Sequence, residues 1–531
     1  MTTSHDGYAY QYATMVLQRN RVPMEPVGFE PNWPDKPRPT KHYPGALAIP
    51  LPDAPPPASA TVDAGLDPDP ADGRFTLPVL GAMLRDSYGL LGRRLAIQAN
   101  TDVHGYPWYA RANWHRGTAS GGGLYPCSIY WVAGPGAGPC PGIYHYGCRP
   151  HAMQRLLAGD VTPAVRAALG DSTDATQFLV VGVKYWANAF KYNSFAYHAV
   201  SMDVGTLLQT WRMWAASDGR RIEPRFWFDQ AALGRLLGLP ADEEGLFAVV
   251  PLTWAPTRGG TIRPAAAVPG TVAVHRRDQE KSRVVHSFEA TERLHRETAL
   301  AAPDRPVAGA LAAAAASAAP DGDRVPLPPP SPLNTPIRAA LRRRRSSFGR
   351  FDATVPMTQA DLAALLTAAS AGQPPTESAA KGDGRLAKFY LFANHVQGLP
   401  AGSYEYDPAG HGLRPVQLGP QGAFLQRNYF LPNYNLEQAA VVLVPTIRAG
   451  AVLDEVGARG YNVVNATIGA IAQTCYTAAA SLNLGCGVAL GFDGVSYLEQ
   501  LGLTGTDEMP LLIMLAGHER AQGSDYRYEL R

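Results

Sequence analysis

The sequence predicts an α+β protein made of two copies of one domain joined in a single chain. Two observations carry this. Each half contains short apolar runs of strand character and one long helix with an apolar stripe. The halves also repeat each other. Ser128-Ile129-Tyr130-Trp131-Val132-Ala133 aligns with Lys388-Phe389-Tyr390-Leu391-Phe392-Ala393 at an offset of 260, which also places Gly142, Tyr144, Tyr146 and His151 on Gly402, Tyr404, Tyr406 and His411. Further on, the offset becomes 264, and Tyr197, Val200, Gly205, Gln209 and Thr210 fall on Tyr461, Val464, Gly469, Gln473 and Thr474. Phe228-Asp229 then meets Phe492-Asp493, and Leu237-Gly238-Leu239 meets Leu501-Gly502-Leu503. Short periods indicate solenoids; a period near 260 indicates a duplicated domain able to form a dimer-like pair within one chain.

Taken in order, residues 1–75 are rich in proline and read as an extended arm laid along a surface. The first domain spans 76–255. Residues 76–92 and 152–169 read as helices, 128–132 and 178–183 as buried strands, and 142–146 as a further alternating segment. A long helix follows, with Val200, Val204, Leu207, Leu208, Trp211, Trp214 and Ala215 on one face and Gly219 as its stop. Residues 247–252 close this half as a strand. Residues 256–335 are rich in Ala and Pro and read as a linker, interrupted by a charged helical stretch near 277–300. The second domain spans 336–531.

Composition narrows the function classes. The chain has 531 residues, 46% hydrophobic and 17% charged, which suits an ordered globular protein. A net charge of +2 gives no global field for nucleic acid or acidic lipid. No apolar run is long enough to span a bilayer, and no signal core opens the chain. Five cysteines without a CxxC pair argue against a zinc site or a disulfide framework, and a cytoplasmic setting is the default.

The differences between the copies point to a site. Ser120-Gly121-Gly122-Gly123, after Ala119 and before Tyr125-Pro126, is neither helix nor strand interior, since glycine loses most backbone entropy there. It reads as a flexible turn or as a cradle of backbone N–H groups. Its counterpart is Ala380-Lys381-Gly382-Asp383. Phe190-Lys191-Tyr192 faces Asp454-Glu455-Val456, so a lysine meets a glutamate. Conversely, Arg345-Ser346-Ser347-Phe348-Gly349-Arg350 faces Arg85-Asp86-Ser87-Tyr88-Gly89-Leu90, and the second copy adds Arg342, Arg343 and Arg344. Gly487-Val488-Ala489-Leu490-Gly491 faces Glu223-Pro224-Arg225-Phe226-Trp227. Each copy keeps what the other has lost, as expected of one shared site whose symmetry mate has decayed. The arginine run reads either as a solvated or nucleic-acid face or, with its serines, as a phosphate clamp.

Other conspicuous residues have plain readings. Cys127 and Cys486 read as buried small hydrophobes. His104 and His115 lack metal-ligand spacing. Tyr144, Tyr146, Tyr404 and Tyr406 alternate as packed strand residues do, and Trp211 and Trp214 belong to a core or domain interface.

In combination these motifs resemble the flavin-dependent nitroreductase superfamily, and within it the SagB/McbC-type azoline dehydrogenases. Arg345-Ser346-Ser347-Phe348-Gly349-Arg350-Phe351-Asp352 is similar to the Arg-x-Ser segment that binds the FMN phosphate. Ala119-Ser120-Gly121-Gly122-Gly123 is similar to the loop that covers the isoalloxazine from the opposite subunit. Leu490-Gly491-Phe492-Asp493 is similar to the loop near flavin N5. Lys191-Tyr192 resembles the Lys-Tyr pair of the azoline branch, as do Gly142–Tyr146 and Lys41-His42-Tyr43-Pro44. One chain with two unequal halves and a loop at Ala119 without proline depart from ordinary nitroreductases.

The resemblance implies two tandem nitroreductase-like domains forming an intrachain pseudo-dimer with one FMN. It assigns Ala119, Ser120, Gly121, Gly123, Arg344, Arg345, Ser346, Ser347, Arg350, Leu490 and Gly491 to the cofactor and Lys191 and Tyr192 to catalysis. The implied reaction is oxidation of peptide thiazolines or oxazolines to thiazoles or oxazoles, with dioxygen reoxidising the flavin. The implied partners are an azoline-containing precursor peptide and a cyclodehydratase, with no metal, nucleic acid or membrane. Either a Tyr192 phenolate beside Lys191 or a desolvated neutral Lys191 would serve as base. The alternatives are an NAD(P)H-dependent nitroreductase or flavin reductase, and a non-enzymatic docking scaffold.

Overall fold

The computed structural model describes residues 7–67, 69–95, 100, 102, 112–256, 272–320, 322–373, 385–521 and 526–530. Ala380–Asp383 and His104, singled out above, lie outside them. Among the described residues the chain is α+β, with two large antiparallel sheets packed about a pair of long helices and a small three-stranded antiparallel sheet of Gly92–Leu95, Ala112–His115 and Arg527–Glu529.

The repeat is written into the strand order. In the first sheet Ala152–Ala158, Gly142–Gly147, Cys127–Ala133 and Gln177–Lys184 lie side by side. In the second, Gly412–Leu418, Gly402–Asp407, Ala387–Ala393 and Val441–Arg448 take the same order. A register shift between Ile143 and Tyr144 recurs between Ser403 and Tyr404. The paired tyrosines are more than packing: Tyr144 and Tyr404 donate to the carbonyls of Cys140 and Pro400 at 2.5 and 2.6 Å. Tyr146 and Tyr406 meet His151 and His411, both at positive φ, at 2.9 and 3.2 Å.

Three expectations are corrected. Ala152–Ala158 is a strand, and only Thr162–Leu169 of the 152–169 stretch is helical. Its Met, Gln, Arg and Leu favour helix intrinsically, but strands paired on both sides override that preference. The first 75 residues are not an extended arm throughout, because Tyr8–Gln18 is a helix that buries Tyr8, Tyr12 and Val16 on one face. Tyr12 packs on Tyr461 and donates to the Ser194 carbonyl at 2.6 Å. The 256–335 stretch is not a free linker where it is described. The helical segment expected within it is Glu289–Leu300, which places His295 2.8 Å from the Tyr185 hydroxyl, and beyond that segment Leu311 and Ala314 are buried.

Arm and linker also supply matching edge strands. Leu47–Pro50 pairs with Ala152–Ala158 with Pro50 opposite Ala152, and Val325–Pro326 pairs with Gly412–Leu418 with Pro326 opposite Gly412. Proline is tolerated there because an edge strand leaves one row of N–H groups unused. The next residues donate alike, Leu51 to the His151 carbonyl and Leu327 to that of His411.

The long helices Ala196–Ser217 and Gly460–Ser481 are buried almost throughout. Trp211 and Trp214 are fully buried in the core and donate to Ser87 Oγ and Asp86 Oδ2, each at 3.0 Å. Cys127 and Cys486 are buried and free. No described helix is long and apolar enough to cross a membrane.

Candidate active site

A cavity of about 560 Å³ opens between the halves, within the usual size range of small-molecule sites. Ala119, Ser120, Gly121, Gly123, Lys191, Tyr192, Arg344, Arg345, Ser346, Arg350, Leu490 and Gly491 all line it. First-copy and second-copy motifs, as far apart in sequence as Ala119 and Gly491, thus line one cavity.

The glycine loop is pinned by both central helices. Asp203 Oδ2 accepts from Ser120 Oγ at 2.6 Å, and Oδ1 from the Gly121 N–H at 2.8 Å. Thr206 Oγ1 donates to the Ala119 carbonyl at 2.9 Å, while the Ala119 N–H donates to Gln473 Oε1 of the second copy at 2.8 Å. Gly122 and Gly123 adopt φ of 61° and 67°, which only glycine takes without strain. At Gly122 a Cβ would stand 2.5 Å from the Tyr192 hydroxyl and 2.8 Å from Lys191 Nζ, so the ends of both side chains close on this residue. The Lys-Tyr pair therefore converges on this loop. Burial pushes the Asp203 carboxyl up to about 7, against the pull of its two hydrogen bonds.

Lys191 and Tyr192 end the helix Trp186–Tyr192, which follows the strand Gln177–Lys184. Lys191 Nζ lies 4.8 Å from the centre of the Tyr192 ring. Burial lowers the lysine from its ordinary value, whereas burial, reinforced by the Asp203 charge, raises the tyrosine.

The arginine run is divided residue by residue. Arg342 and Arg343 anchor the chain elsewhere, Arg342 to Glu529 at 3.3 Å and Arg343 to Asn483 Oδ1 at 2.5 Å. Arg344 crosses between the copies, donating to the Gly117 and Arg116 carbonyls at 2.9 and 3.1 Å while its guanidinium lies 5.1 Å from the Tyr476 ring centre. Arg345 and Arg350 both meet Glu519, at 2.8 and 2.5 Å. Ser346 Oγ lies 2.8 Å from the Tyr476 hydroxyl. Ser347 departs from its neighbours. Its N–H donates to the Cys486 carbonyl at 2.9 Å, which turns its buried, unpartnered Oγ toward Gly485. It lines a second cavity of about 360 Å³ shared with Arg344, Arg345 and Glu519.

Several residues of this site were not singled out by sequence reasoning. Asp203 is a lone acid on a buried helix, and the only signal was that Thr467 replaces it in the other copy. Gln473 stood out only as a repeat marker. Arg19 reaches the cavity from the N-terminal helix region and lies 4.3 Å over the Phe195 ring, and Tyr429, Phe430, Leu431 and Tyr434 form a further wall. Behind this wall Gly487, named above with its loop, packs on Tyr434, where a Cβ would stand 2.3 Å from the ring.

The pseudo-symmetric position is filled. Where Gly491 lines the cavity, the first copy carries Trp227, fully buried. Where Phe195 lines the cavity, the second copy carries Arg459, which is 1% exposed. Arg459 donates to the Phe226 carbonyl at 2.9 Å, to Gln230 Oε1 at 2.9 Å and to the Leu246 carbonyl at 3.0 Å.

Comparison with known proteins bears on this arrangement. Residues 341–518 match the model of the Nitroreductase family. No curated protein matches the sequence. A putative nitroreductase from Anabaena variabilis is 23% identical, covers 97% of this chain and 100% of its own, and superposes with a TM-score of 0.68. A putative nitroreductase from Ralstonia eutropha is 23% identical over 41% of this chain and 99% of its own, with a TM-score of 0.27. The E. coli microcin synthetase McbBCD complex with truncated pro-MccB17 bound is 18% identical over 34% of this chain and 70% of that one, with a TM-score of 0.28. These last two overlaps are too partial to carry an argument. The whole chain therefore has the nitroreductase fold, and its second half carries a Nitroreductase-family domain.

Proposed function

We propose that this protein oxidises thiazoline or oxazoline rings of a peptide to thiazoles or oxazoles, with one FMN in the inter-domain cavity. The observation that carries the reading is the placement of Lys191 and Tyr192 against Gly122, inside a cavity that also holds the arginine cluster. The residues present fit a flavin nucleotide. Arg344, Arg345 and Arg350 with Ser346 offer guanidinium and hydroxyl donors suited to a phosphate. At Gly123, φ is positive and a Cβ would meet nothing within 4 Å, which leaves an open cradle of backbone.

Bound FMN would supply the hydride acceptor. The protein must then remove a ring proton. A base has to be unprotonated before it can act, and burial moves Lys191 in that direction while moving Tyr192 away from the phenolate. The neutral amine of Lys191 is therefore the base in this reading, and Tyr192 keeps its proton as a hydrogen-bond donor beside it. Asp203 acts through Ser120 and Gly121, holding the loop against the pair. Phe195, Tyr429, Phe430 and Leu431 give the ring an apolar and aromatic wall to pack against. The substrate is a precursor peptide whose rings a cyclodehydratase has already closed.

The test is to incubate the flavin-loaded protein with an azoline peptide and weigh the product by mass spectrometry. Loss of two hydrogens per ring supports the reading. Turnover of a nitroaromatic with NADPH and none of the azoline would favour a nitroreductase, and a protein that binds no flavin would favour a scaffold.

A further inference from the structure

Glu519 sets a fixed carboxylate among the arginines that the FMN reading needs for phosphate. Its Oε2 lies 2.8 Å from Arg345 Nη2 and 2.5 Å from Arg350 Nη2. Its backbone cannot drift away, because Phe351 and Glu519 form an antiparallel bridge. Asp352 donates to the His518 carbonyl at 2.9 Å, and Arg520 to the Arg350 carbonyl at 2.7 Å. The side chain is confined as well: a Cβ on Gly485 would stand 2.5 Å from Glu519 Cγ and 2.7 Å from Ser347 Oγ. Its other oxygen, Oε1, is buried and accepts no hydrogen bond.

This acid is not a relic of the duplication. The position 264 earlier is Ala255. In the first copy Arg85 pairs instead with Asp53, at 3.0 Å, in the segment before the domain.

We infer that Glu519 is a built-in competitor for the cofactor's phosphate, and so limits how strongly the site prefers a phosphorylated flavin to the same flavin without phosphate. The inference rests on the FMN reading above. A phosphate brought to Arg345 and Arg350 shares their N–H donors with a carboxylate whose backbone is held beside them, and neighbouring like charges raise each other's energy. The site still holds three arginines, Arg344, Arg345 and Arg350, against this one acid. Phosphate therefore binds, but less tightly than the arginines alone would allow.

The test titrates flavin-free protein with FMN and with riboflavin at one ionic strength, following flavin fluorescence. Glu519→Gln should bind FMN roughly tenfold more tightly, the scale of one charge-assisted hydrogen bond, with riboflavin affinity almost unchanged. Glu519→Asp, which keeps the charge, should retain a FMN-to-riboflavin ratio close to that of the parent. If Glu519→Gln shows no cooperative melting, Glu519→Ser carries the same expectation, since it removes the charge and admits water. Unchanged or weaker FMN binding in the neutral variants would overturn the inference by making Glu519 a support for the arginines. An equal gain for both flavins would overturn it too. In those outcomes the parent binds FMN and the cofactor reading stands; a parent that binds neither flavin removes both.

Discussion

Gly205 and Gly469 hold corresponding positions on the two central helices, and each admits the backbone of the other helix. A Cβ on Gly205 would stand 2.1 Å from the Ala466 carbonyl oxygen, and one on Gly469 2.1 Å from that of Met202. Gly469 and Met202 also line the cavity. The contact that joins the two copies therefore forms part of the proposed site, and loosening it should affect stability and ligand binding together.

Gly205→Ala should destabilise the fold by about 1–3 kcal/mol or more, because the obstacle is backbone and cannot turn aside. Gly234→Ala, at a half-buried position of helix Gln230–Leu236 with nothing within 4 Å of its Cβ, should stabilise by about 0.4–1 kcal/mol. Denaturant midpoints read both, and opposite signs are the expectation.

Arg345→Ala should weaken FMN binding roughly tenfold or more, as a charge-assisted hydrogen bond contributes about 1.5–3 kcal/mol. Its counterpart Arg85 pairs with Asp53 outside the cavity, so Arg85→Ala should leave FMN affinity unchanged. Equal losses in the two titrations would show that the halves do not divide their roles.

Lys191→Ala and Tyr192→Phe should stay yellow while azole formation falls by about 10²–10⁴-fold, the usual contribution of general-base catalysis. In the parent enzyme the rate should climb with pH, because the amine must lose its proton, and the climb should centre below the ordinary lysine value of about 10.4. Bound flavin and product, measured on the same preparations, separate a catalytic loss from a structural one.

Asp203 links stability to pH. Its carboxyl is raised from 3.8 to about 7 in the folded chain, so the folded state binds more protons than the unfolded one between those values. The stabilising contribution is complete below about 3.8 and is lost as pH rises through about 7. Asp203→Asn should flatten that part of the curve of melting temperature against pH. An unchanged curve would mean that Asp203 titrates as an ordinary carboxylate.

The duplicated domain was legible because two constant offsets, 260 and then 264, run through its strands and helices, and because Val200 to Ala215 form an apolar stripe. The earlier part of the repeat was harder to read. Ile49-Pro50-Leu51-Pro52 and Val325-Pro326-Leu327-Pro328 occupy equivalent edges of the two sheets, but four residues amid proline-rich sequence do not stand out. Tyr8, Tyr12 and Val16 share a helical spacing that the neighbouring prolines obscured. Residues belonging to recognisable motifs could be named, whereas Asp203 in the inter-domain cavity and Glu519 in the second cavity could not. A single acid acquires its role from what the fold brings beside it, here Ser120 and Gly121 in one case and Arg345 and Arg350 in the other.

The central claim is that two unequal halves form one working site. Extracting and quantifying flavin from saturated, washed protein tests it most directly. The account predicts one FMN per chain, because Arg459 and Trp227 fill the mate position. Two FMN per chain would contradict it.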